Sequence, residues 1–310
     1  MLGAWLGLAW CMWDRNPKRD APNHFITELL RIQAKSHIMD ASDVLAELLW
    51  GRCNPNLRRA LRWRRRGDVC RAVQAVRVRH FVEWFCGTGN LTTACSQQKM
   101  RVAWYDHVLH PGKMNLLTSA GFAYAIILAL SIVPGGTAWF GVPCSTFVFM
   151  SRGHTKRTRR RPQGDTCRTD VREANIIAER VGFLIQILAM RKVYWILEQP
   201  LNSLFWSMPA MREAQRQCKV GQLAWQRRFL WMGAYGHELL KPTELMGVFP
   251  NLDVAWPTKR PLQGDSTSAY RRWRDASGRQ RVAGRAGLKA TEHYPVAFCR
   301  EAARLIKAQL

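Results

Sequence analysis

The spacing of apolar residues changes near residue 75. Upstream, Phe25, Leu29, Leu30, Ile32, Val44 and Leu48 fall near helical spacing, with Asp40 or Ser42 placed to cap between two pieces, so residues 24–50 are predicted as helix. Downstream, short β-rich runs alternate with helical ones. Val76 to Phe85 reads as a strand ending in Cys-Gly-Thr-Gly, Leu91 to Lys99 as a helix, and Val102 to Tyr105 as a second strand. An apolar helix from Phe122 to Ile132 precedes a buried strand from Gly136 to Val142, which ends in Pro-Cys. A basic loop leads to an amphipathic helix from about Val171 to Met190 and then to strands at Val193–Leu197 and Phe229–Met232. His293 to Gln309 closes the chain as an amphipathic helix. This alternation predicts an α/β fold, a doubly wound and mostly parallel sheet with right-handed crossovers, preceded by a basic helical N-terminal extension.

Four segments follow from the same pattern. Residues 1–75 are expected to form the extension, 76–250 the α/β domain, 251–290 a short basic segment, and 291–310 a helix packing back on that domain. The apolar start, Met1 to Trp13, lacks a basic leader and a small-residue cleavage site, so it is not expected to be a secretion signal. The longest apolar stretch, Gly121 to Val133, is shorter than the ~18 residues of a membrane span, and no membrane association is expected.

Charge narrows the partner. The chain holds 47 Lys and Arg against 22 Asp and Glu, a net charge of +25, and this predicts a polyanionic partner, nucleic acid above all. The positive charge gathers at Arg58–Arg66, at Lys156–Arg161, and at Arg271, Arg272, Arg274, Arg279, Arg281 and Arg285. Trp63 and Trp273 lie inside two of these patches, where they could stack on bases or anchor the segment. Nine scattered cysteines without a Cys-x-x-Cys pair point to reduced intracellular thiols and away from a zinc site; no metal is expected.

In a parallel sheet, chemistry collects at the carboxyl ends of the strands, and Gly87, Asp106, Cys144 and Glu198 all fall just past predicted strand ends. Gly87 and Gly89 would let the backbone approach a ligand at a helix N-terminus. Asp106, about 20 residues on, suits a ribose diol. Such a pair serves nucleoside cofactors generally. Thr92 stands where a dinucleotide fingerprint has its third glycine, and no second glycine-rich turn is present, which favours S-adenosylmethionine. Cys144 follows Gly141-Val142-Pro143 and precedes the basic loop, whose charge is expected to lower the thiol pKa and favour a nucleophilic thiolate. Glu198, in Leu197-Glu198-Gln199-Pro200, is placed to hydrogen-bond a substrate ring nitrogen.

Taken in order, Phe85-Cys86-Gly87-Thr88-Gly89, Tyr105-Asp106, Pro143-Cys144 and Glu198-Gln199-Pro200 resemble a divergent cytosine-5 DNA methyltransferase over about residues 78–250. The resemblance implies a class I methyltransferase, Rossmann-like fold. It implies S-adenosylmethionine around Phe85, Gly87 and Gly89, its ribose on Asp106, with Asn115 in the place of the acid that meets the adenine amine. Cys144 would add to cytosine C6 and Glu198 would hold N3, the base having left the duplex first. The loop after Cys144 would close over the backbone, with Arg152, Arg157, Arg159 and Arg160 on phosphates and Arg228 as a further substrate contact.

The family commonly reads Pro-Cys-Gln and Glu-Asn-Val, whereas this chain has Ser145 after its cysteine and Gln199-Pro200 after its glutamate. The short stretch after Lys241-Pro242-Thr243 leaves little room for a large target-recognition domain, so targeting by a protein partner is a further expectation, as is a nuclear location. Two alternatives stay open: the same chemistry on structured RNA, and a nucleic-acid-binding protein that keeps the fold without turnover.

Overall fold

Alternation within each strand divides the core between two faces of one sheet. In the computed structural model, which describes residues 79–220, 223–256, 270–284 and 292–310, that sheet has six strands in the order β2-β1-β3-β4-β6-β5. These are β1 (Arg79–Trp84), β2 (Val102–Tyr105), β3 (Ile132–Phe140), β4 (Tyr194–Pro200), β5 (Gln226–Trp231) and β6 (Pro242–Val248). The four strands β2, β1, β3 and β4 pair in parallel, while β6 runs antiparallel to both β4 and β5. The predicted helix at 24–50, the Arg58–Arg66 patch and Arg285 lie outside the described residues.

Successive residues of a strand point to opposite faces, and both faces here are apolar, as a covered parallel sheet requires. Val82, Trp84, Phe140, Trp195 and Leu197 face one core, where they meet α2 (Ser119–Ser131), α4 (Thr169–Met190) and α5 (Pro209–Val220). Phe81, Trp139, Ile196 and Leu245 face the other, under α1 (Asn90–Gln97) and α7 (Val296–Lys307). The mostly parallel α/β architecture is therefore as expected, with helices on both faces.

The ordering of the first strands locates the site. From β1 the chain moves to β2 on one side, then returns to place β3 on the other, and the loops that follow β1 and β3 leave the sheet where that order reverses, the place where open α/β sheets bind their ligands. Those loops carry Phe85–Gly89 and Gly141–Cys144.

Strand β6 was not anticipated. It opens on a proline, contains Gly247 and buries Glu244, which is 1% exposed and ion-paired to Arg227 of β5. Also unanticipated were α5, the short helices α3 (Arg152–Thr155) and α6 (Leu252–Ala255), and a separate hairpin of β7 (Tyr270–Arg274) with β8 (Gln280–Gly284). Among the described residues no helix is long and apolar enough to cross a membrane.

Candidate active site

The loop after β1 turns on three left-handed residues, Phe85 (φ 60°), Gly87 (φ 52°) and Gly89 (φ 70°). A Cβ added at Gly87 or Gly89 would meet no atom within 4 Å, so the loop leaves open space beside its backbone. At Phe85 the same conformation is strained, because its Cβ is present. The strain is held by the Phe85 amide, which donates to the Tyr105 carbonyl at 2.7 Å.

Asp106 clamps this loop to the next one. Its Oδ2 accepts from the Gly87 amide and its Oδ1 from the Val108 amide, each at 2.9 Å. A carboxylate has about four lone-pair sites, so Asp106 keeps acceptor capacity for a ligand hydroxyl. Val108 and Leu109, both exposed, stand beside it.

Below the loop lies a residue not singled out in the sequence. Glu83, on β1 and fully buried, accepts from the Thr92 amide at 2.9 Å and from the Thr92 hydroxyl at 2.5 Å. Helix α1 has no side-chain cap of its own at Gly89, so a carboxylate from the sheet supplies the acceptor at its positive end. Burial nevertheless dominates and raises the Glu83 pKa to about 7. A folded-state pKa above the unfolded value means that the native protein keeps a proton the unfolded chain has lost, so stability falls as pH rises between 4.5 and about 7. That displacement corresponds to about 3 kcal/mol. Glu83→Gln should gain that much on wild type between about pH 5 and pH 8, followed by urea unfolding at each pH. A pH-independent difference between the two proteins would show that Glu83 is an ordinary carboxylate.

Cys144 follows the end of β3 by four residues, and Glu198 lies near the end of β4, the neighbouring parallel strand, where it pairs with Leu245 of β6. Gln199 ties those ends together: its Nε2 donates to the Val142 carbonyl at 2.7 Å, and its Oε1 accepts from the Ser203 hydroxyl at 2.8 Å. The unexpected Gln-Pro after Glu198 thus holds the Pro143-Cys144 turn in place. Glu198 is buried; Oε2 accepts from the Tyr294 hydroxyl at 3.4 Å, and Oε1 has no protein partner. Tyr294 in turn accepts from Trp139 Nε1 at 3.1 Å. Its ring is so close to Gly141 that a Cβ there would lie 2.9 Å from the hydroxyl.

The thiol expectation needs correction. Burial and then the Glu198 charge push the Cys144 pKa up to about 12, with Lys241 the opposing cation. No cation of the basic loop is among the groups that act on the thiol. The Glu198 pKa is also raised, by burial first, against Lys241 and the Tyr294 hydrogen bond. Cys144 and Glu198 are therefore close enough for the charge of one to act on the other, and both are favoured in their protonated forms.

Two predicted nucleic-acid contacts are overturned. Arg157 is 1% exposed, with its guanidinium 4.1 Å from the centre of the Phe147 ring. It donates to the Pro162 and Val171 carbonyls, to Asn175 Oδ1 at 2.8 Å and to the Thr146 hydroxyl at 3.3 Å. It is a strut inside the loop and cannot reach a phosphate. Arg228 donates to the carbonyls of Asp253 and Trp256, closing the C-terminal end of α6 rather than facing a substrate. Arg152, Arg159 and Arg160 are exposed.

Asn115 is half-buried and makes local contacts. Its Oδ1 accepts from the Leu117 amide at 2.9 Å, and its carbonyl from the Thr118 amide and hydroxyl, in the turn that opens α2. Buried Arg180 anchors the same turn by donating to the Leu116 and Thr118 carbonyls. No hydrogen bond links Asn115 to Asp106 or Gly87.

Tyr294 and Lys241 could not have been found by motif, since each reaches the site from a distant segment. Among the described residues no cluster of His, Cys, Asp and Glu is arranged to hold a metal ion. Comparison of the chain with protein-family models, curated proteins and solved structures finds no match.

Proposed function

We propose that this protein is an S-adenosylmethionine-dependent methyltransferase acting on C5 of cytosine in DNA, and that its sheet is a reduced class I methyltransferase fold. The observation that carries the reading is that Cys144 follows β3 and Glu198 lies near the end of its parallel neighbour β4, close enough for the Glu198 charge to act on the thiol, while the open glycine loop follows β1 on the other side of β3. The bare backbone at Gly87 and Gly89 and the spare acceptor capacity of Asp106 fit an adenosyl ligand. When bound there, S-adenosylmethionine supplies an electrophilic methyl group.

The protein's own residues do the rest. A flipped cytosine would place N3 against protonated Glu198 and C6 against Sγ of Cys144. As the Sγ–C6 bond forms, the Glu198 proton moves to N3 and the thiol proton returns to the carboxylate. The sum is addition of S–H across the ring, so no free thiolate is needed and a thiol pKa of about 12 is no obstacle. The addition makes C5 nucleophilic toward the methyl group. Loss of the C5 proton to a solvent base, with rupture of Sγ–C6 and return of the N3 proton, restores thiol and acid. Burial favours the protonated form of Glu198, with Tyr294 orienting its carboxyl group. The +25 charge supports a polyanionic substrate, and a nuclear location would suit it.

The decisive experiment is covalent trapping on a duplex containing 5-fluorocytosine, with S-adenosylmethionine present. The fluorine cannot leave as the C5 proton does, so the adduct to Cys144 should persist and be mapped by peptide mass. No adduct under saturating conditions sinks the proposal. A second, independent result is expected for the cofactor: S-adenosylhomocysteine should raise Tm by mass action, and Asp106→Asn should shrink that rise. An unchanged Tm at saturating ligand in wild type would contradict the assignment of the glycine loop.

A further inference from the structure

The hairpin β7–β8 stands outside the main sheet and carries five arginines against one aspartate between Tyr270 and Gly284. Residues paired directly across an antiparallel ladder share a face. Trp273 pairs with Arg281 and Arg274 with Gln280, which puts Arg271, Trp273 and Arg281 on one face and Arg272 and Arg274 on the other. Arg279 lies in the connecting turn, and all five arginines are exposed. A ribbon that is cationic on both faces cannot bury either against an apolar core.

The finger is pre-shaped. Asp275 Oδ1 accepts from the Ser277 amide at 2.9 Å, the Ser277 hydroxyl at 2.6 Å and the Arg279 amide at 3.0 Å. Its Oδ2 takes Arg281 Nε at 2.7 Å, and Gly278 (φ 77°) supplies the left-handed residue of the turn. The Arg271 guanidinium lies 5.0 Å from the centre of the Trp273 ring, and Trp273 is 42% exposed. Strand β8 rests on the turn Phe149–Ser151, a few residues beyond Cys144. The hairpin is therefore packed against the segment that runs from Cys144 to Arg152 at the start of α3.

We infer that the β7–β8 hairpin is a duplex-docking finger that enters the major groove of B-form DNA beside the target base. A two-stranded ribbon is an element that groove admits, being about 12 Å wide, and a ribbon lying in it is flanked by phosphates on both sides. Charge on both faces matches that setting; binding to a flat polyanion would need one face only. A-form RNA has a deep, narrow major groove that excludes such an element. The ribbon thus selects DNA over duplex RNA, which the strand-end motifs by themselves do not. The inference rests on the proposed methyltransferase reading only for placing the target base at Cys144.

The test is equilibrium binding of the full chain to a short DNA duplex and to an RNA duplex of the same sequence, at several salt concentrations, without turnover. DNA should bind at least ~10-fold tighter than RNA. The combined Arg271→Ala, Arg272→Ala and Arg279→Ala variant should flatten the log–log salt dependence on DNA by about 3, and the corresponding triple Lys variant should keep the wild-type slope. Methyl green, a major-groove ligand, should compete, and the minor-groove ligand netropsin should not. Should the triple variant fail to fold, Arg279→Glu in the exposed turn should still weaken DNA binding ~10-fold. Equal affinity for RNA, an unchanged slope in a folded Ala variant, or displacement by netropsin would each overturn the finger. Hairpin-dependent DNA binding with no 5-fluorocytosine adduct would count against the methyltransferase reading and leave the finger standing.

Discussion

Arg157→Ala is expected to lower the unfolding free energy by about 3–5 kcal/mol, among the largest losses open to a single substitution in the chain. The side chain is buried under the Phe147 ring, and its removal strands the acceptors at Pro162, Val171, Asn175 and Thr146. Each buried acceptor left without a partner costs about 1–3 kcal/mol, partly relieved by water entering the loop. Arg157→Lys should recover only part of the loss, since one ammonium cannot span a set of acceptors arranged for a planar fork. The paired substitution Arg159→Ala, Arg160→Ala should change stability by no more than about 0.5 kcal/mol, both residues being exposed. Urea midpoints of the three variants, each against wild type, decide it. A loss below about 1 kcal/mol in Arg157→Ala would mean that the loop is held by other contacts.

Under the proposed function, loss of methyl transfer in Cys144→Ser and Glu198→Gln is the second large effect expected. The serine variant should yield no 5-fluorocytosine adduct and no turnover, because a hydroxyl is a far weaker nucleophile, while DNA affinity stays near wild type. Glu198→Gln can still donate a hydrogen bond to N3 but cannot deliver a proton, and kcat should fall roughly 100-fold or more. The pH profile separates this from a structural role. In the proposed mechanism Glu198 works in its protonated form, and its raised pKa means that form is lost only as pH rises through the raised value. Wild-type rate should therefore decline on the alkaline side of that value, and the residual Glu198→Gln rate should lack this limb. Stability moves the other way: a neutral amide avoids ionising a buried group, so Glu198→Gln should melt no lower than wild type at neutral pH. An inactive variant that also melts well below wild type would indicate misfolding instead of lost chemistry.

The sheet and its strand ends were legible because short apolar runs, glycine turns and strand-end polar residues are local signals. Strand β2 was predicted at its observed bounds, Val102–Tyr105, and α4 begins two residues before the predicted Val171. Strand β6 was illegible because its pattern is interrupted by Gly247 and by a glutamate whose burial depends on Arg227 of the neighbouring strand. Arg157 was misread for a related reason. It belongs to a run of cations, and charge composition says nothing about which member turns inward. One did, because the carbonyls of Pro162 and Val171 converge on its position.

Cys144 and Glu198 show the same division within the site. Sequence alone placed both at strand ends, since a strand followed by a crossover helix determines where each loop emerges. The protonation of the pair was decided in three dimensions. Sequence proximity to Lys156–Arg161 pointed to a low thiol pKa, whereas burial, the charge of Glu198 from β4 and Tyr294 from near the chain's far end set the actual surroundings. Desolvation depends on every element packed around a group, and neighbours brought together across the sheet have no signature in local order. The third arginine cluster obeyed the same rule. Its composition was evident from the start, but only strand pairing between β7 and β8 sorted the cations onto two faces of one ribbon, because a residue's face is defined by the partner across the ladder.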